Sequence, residues 1–284
     1  MNVLVAHDYG PLGRVLLEQL RKASVQVRSL LISEPAQADF SALADWVPED
    51  TDLIVNALWL TDPEEAEADP EGIRHAAFTL PVAFAEHARE RGMALLQLSS
   101  SYVFDGRKQS AYLASNPGQP FGQLGNWQWE CEQAVRALVP RHILLRTGWG
   151  LGRFLRKLQL SAGSNTVVEL SSRNLGQPVA HRDLARVIVA IVQQLGCGAE
   201  VWGTYQYAGA EEISQYELGL AILAMPEMPK TVRVVDEAPA WASLELQNAT
   251  LGCTKIRNTF GVKQMPWRTA LADELALITA KHPR

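Results

Sequence analysis

Cysteine is scarce in this sequence, and its spacing fits neither a disulfide framework nor a metal site. Cys131, Cys197 and Cys253 are the only three cysteines in 284 residues, and no two of them form a CxxC pair. An odd number of widely separated cysteines disfavours a disulfide-stabilised fold and a zinc centre. The histidines show no His-x-x-x-His spacing either, so we predict no metal site.

Long apolar runs and an excess of positive charge are also missing. No run approaches the roughly 18 apolar residues of a membrane helix. The opening Met1-Asn2 leads directly into Val3–Ala6, without the charged and apolar regions of a secretory signal. With 26 basic and 31 acidic side chains the formal net charge is −5, which disfavours a general nucleic-acid binder. We therefore expect a cytoplasmic protein that contacts neither membranes nor nucleic acid.

What the sequence does contain is an alternation of strand-like and helix-like segments. Its 47% hydrophobic and 20% charged residues are typical of a folded protein. Apolar runs predict strands at Val3–Ala6, Val25–Ile32, Asp52–Leu58, Ala94–Leu98, Ile143–Arg146, Thr204–Ala208 and Thr231–Val235. Helical periodicity predicts helices at Arg14–Ala23, Ile73–Arg91, Gln128–Val139, Asp183–Leu195, Ser214–Leu223 and Ala270–Ala280.

This alternation favours an α/β fold with a Rossmann-like, doubly wound parallel sheet. We place the dinucleotide-binding type of domain at residues 1–152 and a smaller C-terminal α/β lobe at 153–284, and interleaving of the two is the alternative that stays open. In such sheets ligands bind beyond the carboxyl ends of the strands. The loops 10–13, 56–61, 99–102 and 149–152 should therefore meet in one crevice.

Several segments along the chain carry a resemblance to a known family. The most specific contains Ser99-Ser100-Ser101 followed by Tyr-Val-Phe-Asp-Gly. The matching segments are Val3–Arg14, Leu98–Gly106, Leu145–Trp149, Gly176–Ala185, Lys255, Phe260-Gly261 and Trp267-Arg268. Together they resemble the extended short-chain dehydrogenase/reductases, and among these the dTDP-4-dehydrorhamnose reductases, over nearly the whole chain. The resemblance implies a Rossmann-like fold that binds NAD(P) and a nucleotide-sugar.

The glycine turn that the resemblance implies is incomplete. The family has Gly-x-x-Gly-x-x-Gly after the first strand, and here Gly10 and Gly13 are present while His7 replaces the first glycine. A glycine there permits a tight turn and close approach to a pyrophosphate, so His7 makes NAD(P) binding doubtful. If a dinucleotide binds, the resemblance places it on Gly10, Leu12, Gly13, Asp39 and Asn56. Asp39 has a second interpretation as a solvated loop carboxylate, and Arg28 is interpreted as a surface arginine.

The catalytic pair that the resemblance implies is replaced. Aligning Pro120 and Glu132 with the family puts Leu124 at the catalytic tyrosine and Gln128 at the catalytic lysine. Reduction of a ketone requires a proton for the developing alkoxide. Leucine cannot donate one, and glutamine has no charge to lower a neighbouring pKa. Of the family's catalytic groups, the serine that hydrogen-bonds the ketone is matched by Ser100.

Other side chains are candidates for contacting a ligand. We expect Ser101, Tyr102 and Trp149 to contact the substrate, with Trp59 and Trp127 as apolar walls. Trp127 and Trp129 are two residues apart and should face different ways on a helix. Tyr102 and Tyr112 are the candidates for a substituted proton donor. His7 should point into the crevice, whereas His75, His87, His142 and His181 are interpreted as surface or packing residues.

Three functions remain open from the sequence. The first is a binding protein that keeps the fold without normal reductase catalysis. It would hold a nucleotide, a nucleotide-sugar or a segment of a partner protein. The regulatory β subunit of methionine adenosyltransferase is an example of a non-catalytic member of the wider family. The second is an NAD(P)H-dependent reductase with a substituted proton donor. The third is a different chemistry on the same scaffold. Changes at two separate sites, the glycine turn and the Tyr/Lys pair, favour the first.

Overall fold

The computed structural model describes residues 1–40, 43–160, 167–228, 233–236 and 244–280. The strands are β1 Asn2–His7, β2 Gln26–Leu31, β3 Leu53–Asn56, β4 Ala94–Ser100, β5 His142–Thr147, β6 Trp149–Gly150, β7 Val167–Leu170, β8 Leu175–Gly176, β9 Pro178–Val179, β10 Gly203–Tyr207, β11 Ile213–Ser214 and β12 Arg233–Asp236. The α-helices are α1 Pro11–Lys22, α2 Leu43–Trp46, α3 Pro63–Ala68, α4 Pro70–Arg74, α5 Leu80–Arg91, α6 Gly122–Leu138, α7 Leu151–Leu160, α8 His181–Gly196, α9 Gln215–Leu223, α10 Thr254–Phe260 and α11 Leu271–Thr279.

The main sheet has six parallel strands in the order β10-β5-β4-β3-β1-β2. Every residue of β3 and β4 is buried, as expected for strands covered on both faces. The order reverses between β1 and β3, so the loops that follow these strands diverge and leave a crevice at the carboxyl edge. The prediction of a doubly wound α/β fold is confirmed.

Alternate residues of the strands bury opposite faces of the sheet. Val3 and Val5 pack in a cluster with residues of α1 and α8, whereas Leu4 and Ala6 pack in a cluster with residues of α5 and α6. The side chains of a strand alternate with a period of two, so the two clusters are the two helical layers.

The chain after residue 152 contributes to both parts of the molecule. β10 pairs with β5 in the main sheet, and α8 packs against α1. The short pairs β6–β9, β7–β12 and β8–β11 lie outside the main sheet, and a third apolar cluster joins residues of α7, α9 and α11. Of the expected strand Thr231–Val235, residues 231 and 232 lie outside the described residues. The division into lobes at residue 152 stays a prediction.

The sequence did not predict α2, α3, α7 and α10, and two of the helices that it did predict differ from the structure for identifiable reasons. α6 begins at Gly122, six residues before the expected Gln128, because Gly125 lets the helix approach the Tyr102 carbonyl. A Cβ on Gly125 would lie 2.1 Å from that oxygen. The expected helix Ile73–Arg91 contains a π-helical turn at His75–Thr79, just before Pro81, whose ring and missing N–H disturb the regular hydrogen bonding. Within the described residues, no helix combines the length and the apolar character needed to cross a membrane.

Candidate functional site

The expectation that His7 points into the crevice stays a prediction, but the residue is packed against its neighbours at the end of β1. It is 9% exposed. Its Nδ1 lies 2.6 Å from the Asp8 carbonyl oxygen and its Nε2 lies 2.7 Å from Ser29 Oγ, on β2. The ring also rests on the start of α1, because a Cβ on Gly13 would lie 2.5 Å from His7 Cβ. Gly13 is therefore needed for the histidine to fit under the turn.

The start of α1 carries its own anion. The N–H of Gly10 donates to Asp8 Oδ1 at 2.7 Å, and the following Pro11 has no N–H. A helix N-terminus favours negative charge and is a common place for a phosphate. Here the Asp8 carboxylate already accepts the Gly10 N–H, so that donor is occupied. Leu12, the remaining candidate in this turn, is buried in the core.

Asn56 and Asp39, the other residues predicted to bind the cofactor, and Arg28 each lie in a different environment. Asn56 is fully buried, donates from Nδ2 to Gln97 Oε1 at 2.9 Å and accepts the Leu58 N–H at 3.3 Å, so its amide holds the loop after β3. Asp39 is exposed in the segment after β2. Arg28 is exposed and pairs with Asp50 at 2.5 Å, as a surface arginine would.

The expected reaction centre is filled by its own side chains. Ser100 is 1% exposed, and its Oγ donates to Gln128 Oε1 at 2.5 Å. The Gln128 amide also donates from Nε2 to the Leu60 carbonyl at 2.9 Å. Leu124 is 1% exposed and packs in a cluster with Tyr102 and Trp149. A ketone could reach Ser100 only if the Gln128 side chain moved.

The three residues predicted to contact the substrate lie in the core. Ser101, Tyr102 and Trp149 are each 1% exposed. Among the described residues, neither Ser101 Oγ nor Trp149 Nε1 has a hydrogen-bond partner.

Tyr102 belongs to a buried ionic group. Its hydroxyl donates to Glu245 Oε2 at 2.8 Å and accepts from Arg153 Nη1 at 3.0 Å. Burial raises the pKa of Tyr102 well above that of a free tyrosine, and the Glu245 carboxylate adds to the effect while Arg153 opposes it. Arg153 also bonds Glu245 directly and donates to the Thr61 carbonyl at 2.6 Å. This group ties α7 to the loop after β3.

A second buried ionic group lies beneath the end of β4. Glu132 of α6 is completely buried and accepts from Ser99 Oγ at 2.7 Å, from Arg146 at 2.8 and 2.7 Å and from Arg136 at 2.6 Å. Burial raises the pKa of Glu132, but the hydrogen bonds and charge of Arg146, with that of Arg136, hold it below the usual value. The carboxylate therefore fixes β4 and β5 side by side under Ser100.

A cavity of about 430 Å³ remains open beside this filled centre. It lies between the loop after β3, α3, α7 and the start of α8. Two of the four loops expected at the crevice contribute to its lining. The lining residues are Trp59, Thr61, Asp62, Glu64, Glu65, Ala68, Gly150, Gly152, Arg153, Arg156, Lys157 and His181.

The two neighbouring tryptophans of α6 face different ways, which confirms the prediction from their spacing. Trp129 packs against the cluster that includes α1 and α8, and Trp127 packs against the cluster that includes α7. Neither lines the cavity. The indole on its wall is that of Trp59, whose Nε1 donates to Thr147 Oγ1 at 2.8 Å.

The sequence reasoning missed one pair at this cavity. His181 Nδ1 lies 2.5 Å from Glu274 Oε1, and the other oxygen of Glu274 accepts the His181 backbone N–H at 3.0 Å. The two residues are 93 positions apart, and no local motif connects them. Within the described part of the chain, no group of three or more His, Cys, Asp or Glu residues is placed to hold a metal ion.

Comparisons with known proteins agree with this architecture. The family model described as RmlD substrate binding domain matches residues 1–279. A dTDP-4-dehydrorhamnose reductase of Aggregatibacter actinomycetemcomitans is 26% identical over 96% of this chain and 97% of its own length. The methionine adenosyltransferase 2 subunit beta of Mus musculus is 25% identical over 78% of this chain and 69% of its own length.

A solved structure shows the same fold. The dTDP-4-dehydrorhamnose reductase of Bacillus anthracis in complex with NADP superimposes with a TM-score of 0.78 at 19% identity, over 96% of this chain and 98% of that chain. Because the family model covers the sheet, the glycine turn and the C-terminal helices together, the chain belongs to the RmlD substrate binding domain family, within the extended short-chain dehydrogenase/reductases.

Proposed function

We propose that this chain binds a nucleotide or a nucleotide-sugar and lacks normal reductase catalysis. The observation that carries the proposal is the hydrogen bond from Ser100 to Gln128, with Leu124 packed in the core beside it. At the positions of the family's proton donor and its ammonium, these side chains supply neither a proton nor a charge. General acid catalysis of this kind contributes about 10²–10⁴-fold to a rate.

The glycine turn supports the same proposal. A dinucleotide requires backbone N–H groups aimed at its pyrophosphate. Here Gly10 already donates to Asp8, Pro11 has no N–H, and the Asp8 carboxylate would repel a phosphate. The residues of this turn therefore fit NAD(P) poorly. The Bacillus anthracis relative was solved with NADP, so binding of the dinucleotide is the first point to measure.

The cavity supports binding of a sugar or nucleotide through the chemistry of its lining. The Trp59 indole offers an aromatic wall, and the lining also includes carboxylates at the start of α3 and cations on α7. Such side chains suit a polyhydroxylated ligand, because aromatic faces pack on sugar rings and charged groups hydrogen-bond the hydroxyls. The mouse relative is named as a subunit of a transferase, which supports a role other than reduction within this family.

The alternative is an active NAD(P)H-dependent reductase with a substituted proton donor. The sequence offered Tyr102 and Tyr112 for that role. Tyr102 donates to Glu245, and Tyr112 is 5% exposed and donates to Asp105 Oδ1 at 2.5 Å. Neither tyrosine lines the cavity, so the alternative ranks second.

Calorimetry and an NADPH oxidation assay test the proposal together. We expect dTDP or dTDP-4-dehydrorhamnose to bind. NADPH should bind weakly or not at all, unless His7→Gly reopens the turn. No NADPH oxidation should occur with dTDP-4-dehydrorhamnose. Ala68→Trp, which adds bulk at the cavity, should weaken ligand binding. The matched control Glu90→Trp puts the same bulk on an exposed position of α5. Turnover comparable to that of an ordinary family reductase would refute the proposal.

A further inference from the structure

His181 and Glu274 form a hydrogen-bonded pair at the wall of the cavity. The His181 side chain is 12% exposed and that of Glu274 is 1% exposed. Both oxygens of Glu274 accept hydrogen bonds from His181, one from the ring and one from the backbone. The carboxylate therefore fixes the orientation of the imidazole and keeps it at the start of α8.

Gly152 makes the position of the pair possible. A Cβ on Gly152 would lie 2.7 Å from His181 Cε1 and 3.0 Å from Glu274 Oε1. The first turn of α7 therefore packs directly against the pair. On the other side, the Trp59 ring meets the imidazole edge-on with the ring centres 5.1 Å apart. The ring is held by packing as well as by the carboxylate.

These contacts determine which ring nitrogen carries a lone pair. An ionised carboxylate only accepts hydrogen bonds, so Nδ1 must be the protonated nitrogen of a neutral ring. Its other nitrogen, Nε2, then carries the lone pair. None of the residues that the structure describes hydrogen-bonds Nε2, and the residue lines the cavity. A carboxylate behind an imidazole also stabilises the imidazolium that forms when Nε2 takes a proton, as in hydrolase triads.

We propose that His181, positioned by Glu274, is a catalytic acid–base residue that exchanges a proton with a keto-sugar nucleotide in this cavity. The proposal rests on the proposed function, because the ligand must first bind. Nε2 takes a hydrogen as a proton from a carbon next to the ketone. The electrons of that C–H bond form a C=C bond, and the C=O π electrons move to the oxygen to give an enolate. Arg156, on the same wall, supplies positive charge for that oxygen.

The reverse step balances the reaction without an oxidant or a reductant. The imidazolium returns a proton to the carbon, and the enolate oxygen becomes a ketone again. The same imidazolium returns the proton to the face that lost it, so the class of reaction is enolisation of an α-hydrogen-bearing ketone with exchange of that hydrogen. This chemistry does not use hydride, which is consistent with the replaced Tyr/Lys pair.

Hydrogen–deuterium exchange at carbon tests the inference. The full chain is incubated with dTDP-4-dehydrorhamnose in D₂O without any dinucleotide, and NMR follows deuterium entering the carbons next to the ketone. His181→Asn retains an N–H that can reach Glu274 but removes Nε2, and should slow the exchange by about 10²-fold or more. Glu274→Gln should slow it less, because the ring remains but its charged partner is lost. His142→Asn, the same substitution at the amino-terminal end of β5, should leave the rate unchanged.

Calorimetry on the same samples separates the two proposals, and circular dichroism verifies that each variant is folded. Exchange above the buffer rate in the wild type that is lost in folded His181→Asn supports the inference. Binding without exchange, or equal exchange in His181→Asn, overturns it while the binding function stands. Absence of binding overturns both. If His181→Asn does not fold, the decision passes to Glu274→Gln, where an unchanged rate overturns the inference.

Discussion

Replacement of Arg146 by methionine tests the buried ionic group that holds β4 and β5 together. Arg146 is 1% exposed and donates two hydrogen bonds to the completely buried Glu132. Its guanidinium also stacks over the Phe104 ring at 4.9 Å. Methionine keeps much of the apolar volume of arginine, so the main loss is electrostatic. The variant leaves a buried carboxylate without its principal partner.

The expected loss follows from what remains around Glu132. Breaking a buried ion pair by removing one partner typically costs about 3–5 kcal/mol. Arg136 still donates to the carboxylate at 2.6 Å and Ser99 at 2.7 Å, so the lower end applies. We expect a loss of about 3 kcal/mol in the free energy of unfolding. In a chain of this size that corresponds to a fall in Tm of roughly 6–12 °C.

Denaturant unfolding followed by circular dichroism measures this loss, and its pH dependence provides an independent test. Because the folded pKa of Glu132 is lowered, its ionised form adds stability above the unfolded pKa of glutamate, about 4.3. That contribution disappears as the pH falls through the lower folded pKa. The deficit of Arg146→Met should therefore shrink below about pH 4.3.

The double variant Arg146→Met/Glu132→Gln is the matched control. It removes the uncompensated charge and should be more stable than Arg146→Met alone. A single variant within about 1 kcal/mol of the wild type, the usual range of an exposed ion pair, would falsify the assignment of this group as a structural ion pair.

Two further predictions concern the turn and the thiols. Alanine is a better helix former than glycine, but Gly13→Ala should destabilise the fold by about 1–3 kcal/mol because the new Cβ would collide with His7. Adding His7→Gly to that variant should recover the loss. An unfolding midpoint that Gly13→Ala leaves unchanged would contradict the packing. Among the cysteines, Cys197 is exposed whereas Cys131 and Cys253 are buried, and burial raises the pKa of Cys131 and raises that of Cys253 to about 11. A thiol reagent at neutral pH should modify Cys197 quickly and the other two only on unfolding, and rapid labelling of Cys131 would show that the core is more open than described.

The sequence predicted the sheet well because strands buried on both faces leave a strong local signal. Leu53-Ile54-Val55 and Ala94-Leu95-Leu96 are continuous apolar runs, and the strands that contain them are completely buried. Helix starts were harder to predict, because they depend on tertiary contacts. Gly122 and Gly125 suggest a loop locally, but the close approach of Gly125 to Tyr102 makes them part of α6.

The candidate site was harder to predict than the fold for the same reason. Tyr102 and Glu245 are 143 positions apart, and Arg153 lies between them in sequence without any shared motif. The resemblance directed attention to Ser100 and Tyr102, which a family alignment can place. His181 had only its residue type as a signal, because its contact with Glu274 is formed only in the folded chain.

The side chains that differ from the family's pattern form specific hydrogen bonds in this structure. Gln128 bridges Ser100 and the Leu60 carbonyl, and Asp8 bonds the N–H of Gly10. A lysine at position 128 would have to satisfy both partners with an ammonium while its charge lay 6% exposed, which is unfavourable without a compensating carboxylate. The sequence therefore maintains the altered centre through specific hydrogen bonds. The reaction that we propose for this chain therefore lies in the adjoining cavity, whose lining includes His181.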